Sequence, residues 1–256
     1  MFTRAIVRPP APNFSQGLTT AGLGAPDYER ALQQHAKYCA ALVECGLRVI
    51  TLAPDEHYAD STFVEDTAVL SDHSAVLTRP GAPSRAGETA SVRQALVEFF
   101  PNLASIEAPA TVDGGDICEA GNHFFIGISE RTNEAGARQL IALLAPFGYT
   151  GALVDIRSER SLLHLKSGLA CLGENRLVVT EALAGRAEFA GYDLVVVNDA
   201  EAYAANCIRV NDFVLVAAGY PVFAAKLQGL GYRTIALEMS EFQKMDGGLS
   251  CLSLRF

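Results

Sequence analysis

Residues 207–237 read CIRVNDFVLVAAGYPVFAAKLQGLGYRTIAL, a stretch that contains one complete structural unit of the chain. Apolar runs at 207–210 and 213–217 predict two short strands. A helix is predicted near Val222 to Leu230, and a further strand at 233–237. The stretch therefore predicts a strand–strand–helix–strand unit.

The same alternation of short strands and amphipathic helices is predicted along the rest of the chain. Predicted helices cover 26–44, 88–99 and 135–147, and predicted strands cover 5–8, 47–52, 63–70, 75–78, 115–118, 124–128, 152–156, 169–172, 176–180, 193–197 and 249–254. Units of about 50 residues are typical of a radial repeat. The units share little sequence, so periodicity alone leaves a doubly wound parallel sheet equally possible. No GxGxxG motif or P-loop follows a predicted strand, so no nucleotide-binding motif supports that second arrangement.

The length and composition favour one domain. The chain has 256 residues, half of them hydrophobic, which is enough to bury a full core. No Ser/Gly-rich linker interrupts the sequence, so a single domain over residues 1–256 is favoured over two small ones. Apolar stretches reach about eight residues, far short of the roughly 20 that span a bilayer. Residues 1–10 lack the apolar core of a secretory signal, which favours a cytoplasmic location.

The charge and the cysteines exclude several classes of protein. The net charge is −9, whereas a nucleic-acid-binding protein would show a basic face. An acidic chain is compatible with a small cationic substrate. The six cysteines, at positions 39, 45, 118, 171, 207 and 251, show no CxxC spacing. We expect free thiols, of which at most one or two are reactive.

A cysteine and a histidine are the first candidates for chemistry. Cys251 ends the segment DGGLSC, in which two glycines allow a tight turn before a predicted strand. His164 lies in LHLKSG, between apolar residues on another predicted strand. A buried structural thiol and a histidine without function are the alternatives. Together the two residues are the minimum for thiol catalysis, since a thiolate attacks and a second group moves protons.

Two acidic segments are candidates for binding and for supporting the histidine. In TVDGGD, residues 111–116, one carboxylate could orient the histidine as the third member of a triad. In DSTFVED, residues 60–66, three acids flank an aromatic residue. A guanidinium is planar and is held best by carboxylates in its plane and an aromatic face against it. Solvated surface loops are the alternative for both segments.

Two arginines, Arg85 and Arg131, are predicted at junctions between a loop and a helix. Solvation at the surface is the ordinary state of such residues. If the substrate carries a carboxylate, each arginine could instead form a bidentate clamp on it.

The ordered motifs resemble one enzyme family. They are Gly17-Leu18-Thr19, DSTFVED, TRPGAPSR, DGGD, ERTN, LHLKSG, AANC and DGGLSC, and they extend over nearly the whole chain. This set is similar to that of the dimethylarginine dimethylaminohydrolases, in the superfamily of arginine deiminases and amidinotransferases. The resemblance implies a five-bladed α/β propeller of ββαβ units around a central active site. It also implies hydrolysis of asymmetric dimethylarginine, and of monomethylarginine, to citrulline and a methylated amine.

The resemblance implies a catalytic triad and a covalent mechanism. Cys251 would be the nucleophile and form a thiouronium intermediate, and His164 would be the proton donor and base. Asp113 would be the carboxylate that supports the histidine. Many relatives in the wider superfamily carry Glu at the position of Asp113, so the carboxylate of this chain is one methylene shorter.

The resemblance also implies the substrate contacts. Asp66 and Asp246 would grip the guanidinium, and Arg85 and Arg131 the substrate carboxylate. The remaining positions would meet the α-amino end or line the site: Leu18 through its backbone, Asp60, Phe63, Glu65, and Met245 through its backbone.

No metal or organic cofactor is expected, because nucleophilic attack and proton transfer need neither. The expected partner is a small molecule, with no nucleic acid and no membrane, and a homodimer is compatible with the sequence. Two alternatives stay open. One is a deiminase for arginine or agmatine, which the short chain and the paired arginines disfavour. The other is a catalytically silent binding protein for arginine-like ligands, for which a nucleophile would have no use.

Overall fold

The computed structural model describes residues 1–173 and 175–256. The α-helices in these residues are α1 Tyr28–Glu44, α2 Thr89–Leu96, α3 Glu134–Leu144, α4 Pro221–Gly229 and α5 Ser240–Gln243. The strands are β1 Arg4–Val7, β2 Arg48–Thr51, β3 Ala68–Leu70, β4 Ala75–Leu77, β5 Leu103–Ser105, β6 Ile117–Ala120, β7 His123–Ile128, β8 Thr150–Asp155, β9 Leu169–Gly173, β10 Arg176–Thr180, β11 Asp193–Val197, β12 Ile208–Val210, β13 Phe213–Ala217, β14 Arg233–Leu237 and β15 Leu254–Arg255.

The strands of the described residues form five three-stranded sheets, with the orders β15-β1-β2, β3-β4-β5, β6-β7-β8, β9-β10-β11 and β12-β13-β14. In four of them the central strand is antiparallel to one neighbour and parallel to the other. An α-helix connects each parallel pair, as α4 does between β13 and β14, where Leu215 pairs with Ile235. The predicted repeat of five units is confirmed, and four of the units have the ββαβ order. A single doubly wound parallel sheet is wrong for this chain.

The fourth unit departs from the ββαβ order. Its strands β9 and β10 are antiparallel, as in the other units. The connection from β10 to β11 contains the 3-10 helix Ala187–Phe189 in place of an α-helix. Phe189 is fully buried there and packs on Phe125 with ring centroids 5.0 Å apart. The short turn therefore fills the same need as a helix, which is to cover one face of the sheet.

The chain forms two compact units. One comprises Met1–Val64 and Val197–Phe256 and holds two of the sheets; the other comprises Glu65–Val196 and holds three. A single catalytic domain over residues 1–256 stays a prediction. All six cysteines are free thiols, as expected. Among the described residues, no helix combines the length and apolar character that crossing a membrane requires.

A short 3-10 helix precedes the first strand of every unit. We call these five segments the entry turns: Val64–Thr67, Gly114–Asp116, Leu165–Ser167, Asp199–Ala205 and Ser250–Leu252.

The entry turns correct three predicted strands. The strand predicted at 63–70 is limited to β3, the one at 115–118 begins only at β6, and the one at 249–254 is limited to β15. Specific hydrogen bonds outweigh the β propensity of these residues, as where the Ser250 backbone N–H donates to Asn206 Oδ1 at 2.9 Å. Strand β5 was not predicted, because its three residues are only half-buried and lack a clear pattern.

Helix α1 illustrates how sequence determines packing in this fold. Asp27 caps its first turn by accepting the Arg30 backbone N–H at 2.9 Å. The helix ends before Gly46, whose φ of 91° is a left-handed conformation that glycine adopts without strain. Leu42 is fully buried in the core of its compact unit, while its neighbour Val43 is 59% exposed.

We predict that Leu42→Ala lowers the free energy of unfolding by about 2–5 kcal/mol, because it removes buried methyl groups and leaves a cavity. Val43→Ala is the matched control on the same helix. It should change the free energy by no more than about 0.5 kcal/mol, as is usual for exposed positions. Urea denaturation measures both. Equal effects of the two substitutions would contradict this description of α1.

Candidate active site

His164 and Asp113 form a buried pair in the unit Glu65–Val196. His164 Nε2 lies 3.1 Å from Asp113 Oδ2, and Asp113 is fully buried. The other oxygen of Asp113 accepts the Gly81 backbone N–H at 2.8 Å, so the carboxylate is held from two sides. His164 was predicted on a strand, which is wrong: it caps the entry turn Leu165–Ser167, and its backbone N–H donates to Ser167 Oγ. The pair can orient an imidazole for proton transfer.

The charge of His164 is set by the acids around it. Burial lowers the pKa of the imidazole, but the carboxylates of Asp66, Asp116 and Asp113 outweigh burial and raise this pKa to about 9. His164 is therefore protonated at neutral pH. A protonated imidazole can act as a general acid toward a leaving amine.

Asp66 is a buried carboxylate that stays ionised. It accepts a hydrogen bond from Arg85 at 2.6 Å and from the Gly115 backbone N–H at 2.8 Å. Burial raises the pKa of Asp66, but His164 and Arg85 together lower it to about 2. A fixed negative charge of this kind suits a cationic ligand.

Arg85 lies in the same buried network. Its guanidinium donates to Asp66 and, through Nε and a terminal nitrogen, to Glu88 at 3.0 and 2.7 Å. Burial lowers the pKa of Arg85, but Asp66 and Glu88 raise it above its usual range. The arginine remains charged, and its proposed contact with a substrate carboxylate stays a prediction.

Glu65 and Arg131 complete the candidates in this unit. Glu65 is buried and forms a 2.6 Å ion pair with Lys166 in the entry turn after His164. Arg131 is half-buried, and its backbone packs so closely on Gly81 that a Cβ on this glycine would overlap the Arg131 carbonyl oxygen. The loop before α2 therefore contacts both the sequence DGGD, through the hydrogen bond from Gly81 to Asp113, and the loop before α3, through Arg131.

Cys251 lies in the other compact unit, in the entry turn Ser250–Leu252. Its predicted position on a strand is wrong. The thiol is half-buried, and the Gly248 backbone N–H approaches its Sγ at 3.4 Å. Asn206 fixes this turn, since it accepts the Ser250 backbone N–H and donates to Ser250 Oγ at 3.0 Å. A Cβ on Gly248 would lie 2.5 Å from the Asn206 side chain, which explains the need for glycine.

Asp246 and its neighbours precede that turn. Asp246 adopts a left-handed φ of 56°, and its carboxylate accepts two hydrogen bonds from Thr20, at 2.5 Å from the backbone and 3.0 Å from the hydroxyl. Met245 is buried in the core of its unit. These hydrogen bonds therefore connect the Pro9–Gly24 segment to Asp246, which is predicted to bind the substrate guanidinium.

Asp60 and Phe63 lie in the same compact unit. Both oxygens of Asp60 accept the Leu18 backbone N–H at 3.1 Å, so two residues predicted to meet the α-amino end are in contact. Phe63 is buried and packs against Phe14 and Phe242, with ring centroids 6.0 and 6.3 Å apart. This is a core position, and a contact between the Phe63 ring and a guanidinium stays a prediction.

Sequence reasoning assigned no role to four residues that hold the candidates in place. They are Glu88 on Arg85, Lys166 on Glu65, Asn206 on Ser250, and Asp116 beside His164. Asp116, Lys166 and Asn206 lie inside the motifs DGGD, LHLKSG and AANC, which was the available signal. Glu88 has no such signal.

Asp66, Asp113 and His164 have ligand atoms that all lie within 4.8 Å of one another, close enough to hold a metal ion. Protein groups already bind each of these three residues. Arg85 donates to Asp66, the Gly81 backbone N–H donates to Asp113, and His164 forms a hydrogen bond with Asp113. A reaction without a metal stays a prediction.

Known proteins are similar to this chain over its whole length. A family model described as N,N dimethylarginine dimethylhydrolase, eukaryotic, matches residues 25–190. The N(G),N(G)-dimethylarginine dimethylaminohydrolase of Pseudomonas aeruginosa is 46% identical over 257 residues, with 100% of both chains covered.

Two solved structures match with a TM-score of 0.97, 45% identity and coverage of 100% of both chains. One is a dimethylarginine dimethylaminohydrolase, with glycine in place of a histidine, as an adduct with S-methyl-L-thiocitrulline. The other is the Pseudomonas aeruginosa protein, with serine in place of a cysteine, in complex with citrulline.

The raised pKa of His164 predicts a pH-dependent contribution to stability. The folded-state pKa of about 9 lies above the ordinary value of 6.5. The stabilisation is therefore fully present below pH 6.5 and is lost as the pH rises through 9. We expect the difference in free energy of unfolding between the wild type and His164→Gln to shrink over this range in urea denaturation. A difference that does not change with pH would contradict the raised pKa.

Proposed function

This chain belongs to the dimethylarginine dimethylaminohydrolase family, and we propose that it hydrolyses asymmetric dimethylarginine to citrulline and dimethylamine. The observation that carries the proposal is the buried pair of His164 and Asp113, in a chain that also has a half-buried Cys251 in a constrained turn. A relative that forms an adduct with S-methyl-L-thiocitrulline and one that binds citrulline support this substrate class.

The proposed reaction has two covalent steps. The Cys251 thiolate attacks the guanidinium carbon and forms a tetrahedral adduct. Protonated His164 gives its proton to the dimethylamine as the carbon–nitrogen bond breaks, which leaves a thiouronium on Cys251. The neutral imidazole then takes one proton from water, and the water oxygen attacks the same carbon. As the carbon–sulfur bond breaks, the new hydroxyl gives its proton to solvent, and citrulline and the Cys251 thiolate are released. Asp113 keeps the imidazole oriented and stabilises its charged form in both steps.

In this proposal the acids and arginines position the substrate. Asp66 and Asp246 hold the guanidinium so that the dimethylamine nitrogen faces His164. Arg85 and Arg131 hold the substrate carboxylate. The α-amino end meets Asp60 and the backbone of Leu18, while Glu65, Phe63 and Met245 line the site.

We include monomethylarginine as a substrate, since its smaller leaving amine makes the same contacts. No cofactor takes part, the reaction occurs in the cytoplasm, and the residues 1–256 act as one catalytic domain. A homodimer is compatible with this reading.

The first test is a product assay with asymmetric dimethylarginine. We expect citrulline and dimethylamine in equal amounts from the wild type and neither from Cys251→Ser. Arginine and agmatine run alongside, and ammonia is their expected nitrogen product. If arginine or agmatine is turned over faster than asymmetric dimethylarginine, the proposed substrate is wrong, although the mechanism stands. If no compound is turned over but dimethylarginine binds equally to both variants, the chain is a binding protein.

A second prediction concerns Gly115, which packs against the histidine. A Cβ on this glycine would lie 2.6 Å from His164 Nδ1 and 2.9 Å from Asp66 Oδ1. We therefore expect Gly115→Ala to displace the imidazole and lower kcat at least about tenfold, since catalysis is sensitive to small errors of position. Gly185→Ala is the matched control, because a Cβ there meets nothing within 4 Å. Wild-type kcat in folded Gly115→Ala would contradict this packing.

A further inference from the structure

We propose that Asp116, the second acid of DGGD, is a positioning residue that fixes His164 in place and adds a negative charge beside it. The role rests on the proposed function, in which His164 transfers the protons. Asp116 does not contact the imidazole in the way that Asp113 does. It acts through the backbone of the residue that follows the histidine and through its own charge.

The carboxylate of Asp116 is fully buried and bound from both sides. Its Oδ1 accepts the Leu165 backbone N–H at 2.9 Å, immediately after His164. Its Oδ2 accepts the Ser129 hydroxyl at 2.6 Å, and the Ser129 and Thr132 hydroxyls both lower the pKa of Asp116. The Leu165 N–H can only donate, so the oxygen that meets it is an acceptor. Asp116 thus fixes where the entry turn of His164 begins.

Two further contacts join this carboxylate to the catalytic pair. The Thr132 hydroxyl, which lowers the pKa of Asp116, accepts the Asp113 backbone N–H at 3.0 Å. On the other side, a Cβ on Gly127 would lie 2.8 Å from Asp116 Oδ1 and 2.8 Å from Leu165 Cβ. The glycine in β7 therefore leaves the space in which Asp116 meets Leu165.

The charge of Asp116 adds to those of its neighbours. Within the unit Glu65–Val196, the groups that act on His164 are Asp66, Asp116 and Asp113, and Arg85 acts on Asp66 and Asp113. Burial raises the pKa of Asp116 above its ordinary value, and His164 and the surrounding donors offset only part of that rise. Asp66 is partly neutralised by Arg85. Among the described residues no lysine or arginine forms an ion pair with Asp116, and His164 is the charged group that lowers its pKa.

The variant Asp116→Asn removes the negative charge of the side chain and keeps its shape. The amide oxygen can still accept the Leu165 N–H, whereas the amide nitrogen cannot accept the Ser129 hydroxyl. NMR titration of the His164 ring, in protein labelled at histidine and assigned with His164→Gln, should give a pKa lower by about 1. With dimethylarginine, kcat should fall about tenfold with KM unchanged, and its alkaline limb should move to lower pH. A wild-type pKa of His164 in folded Asp116→Asn would overturn the proposal.

Ser129→Ala is the second variant, in case Asp116→Asn does not fold. It removes one donor from the carboxylate, so the pKa of Asp116 rises and its charge acts less on the imidazole. The pKa of His164 should fall in the same direction by a smaller amount. An unchanged pKa of His164 in folded Ser129→Ala would count against the proposal.

Glu201→Gln is the matched control. Glu201 is also a buried carboxylate that holds backbone N–H groups, those of Val222 and Phe223 at 3.1 and 2.6 Å. This variant should leave both kcat and the pKa of His164 unchanged. The titration needs no substrate, so it tests Asp116 even if the wild type produces no citrulline. The absence of citrulline would instead count against the proposed function.

Discussion

The protonated imidazole of His164 among buried carboxylates is the interaction on which the arrangement of residues 65–196 depends. Charges are costly to bury unless they are paired and hydrogen-bonded. Asp113 is held by Gly81, and Asp66 by Gly115 and Arg85. The glycines of DGGD are therefore needed for close approach as much as for turning, because a side chain at 115 would collide with the imidazole. Removing any one partner would leave another charge buried without compensation.

The five units hold their candidate residues, or the residue that fixes one of them, at the same place in the fold. The entry turns of four units carry or adjoin Asp66, Asp113, His164 and Cys251, and the remaining one ends at Asn206, which fixes the turn of the cysteine. The sheets and crossovers behind these turns are ordinary apolar packing. In the fourth unit a 3-10 helix replaces the crossover helix without affecting the turn before β9. The positions of the candidate residues thus depend on the turns that precede the strands and little on the helices.

Sequence patterns predicted the scaffold better than the turns. Apolar runs such as Phe213–Ala217 identify strands, because burial on both faces leaves a clear signal. Strands were wrongly predicted around Cys251 and around Asp66. Local β propensity carries no information about the hydrogen bonds that these segments form with Asn206 and Arg85, which are distant in sequence. The candidate residues themselves were recognised from motifs. Glu88, whose role comes only from the folded position of Arg85, could not be recognised in this way.

The antiparallel pairing of β1 with β15 has a consequence for the order of folding. Ala5 pairs with Arg255, so one sheet joins residues from opposite ends of the sequence. During synthesis, β1, α1 and β2 emerge early, but this sheet lacks its third strand until residue 254 has left the ribosome. Contacts between residues so far apart in sequence carry a large entropic cost and form slowly. Since the turn of Cys251 leads directly into β15, the Cys251 thiol is among the last groups to reach their final geometry.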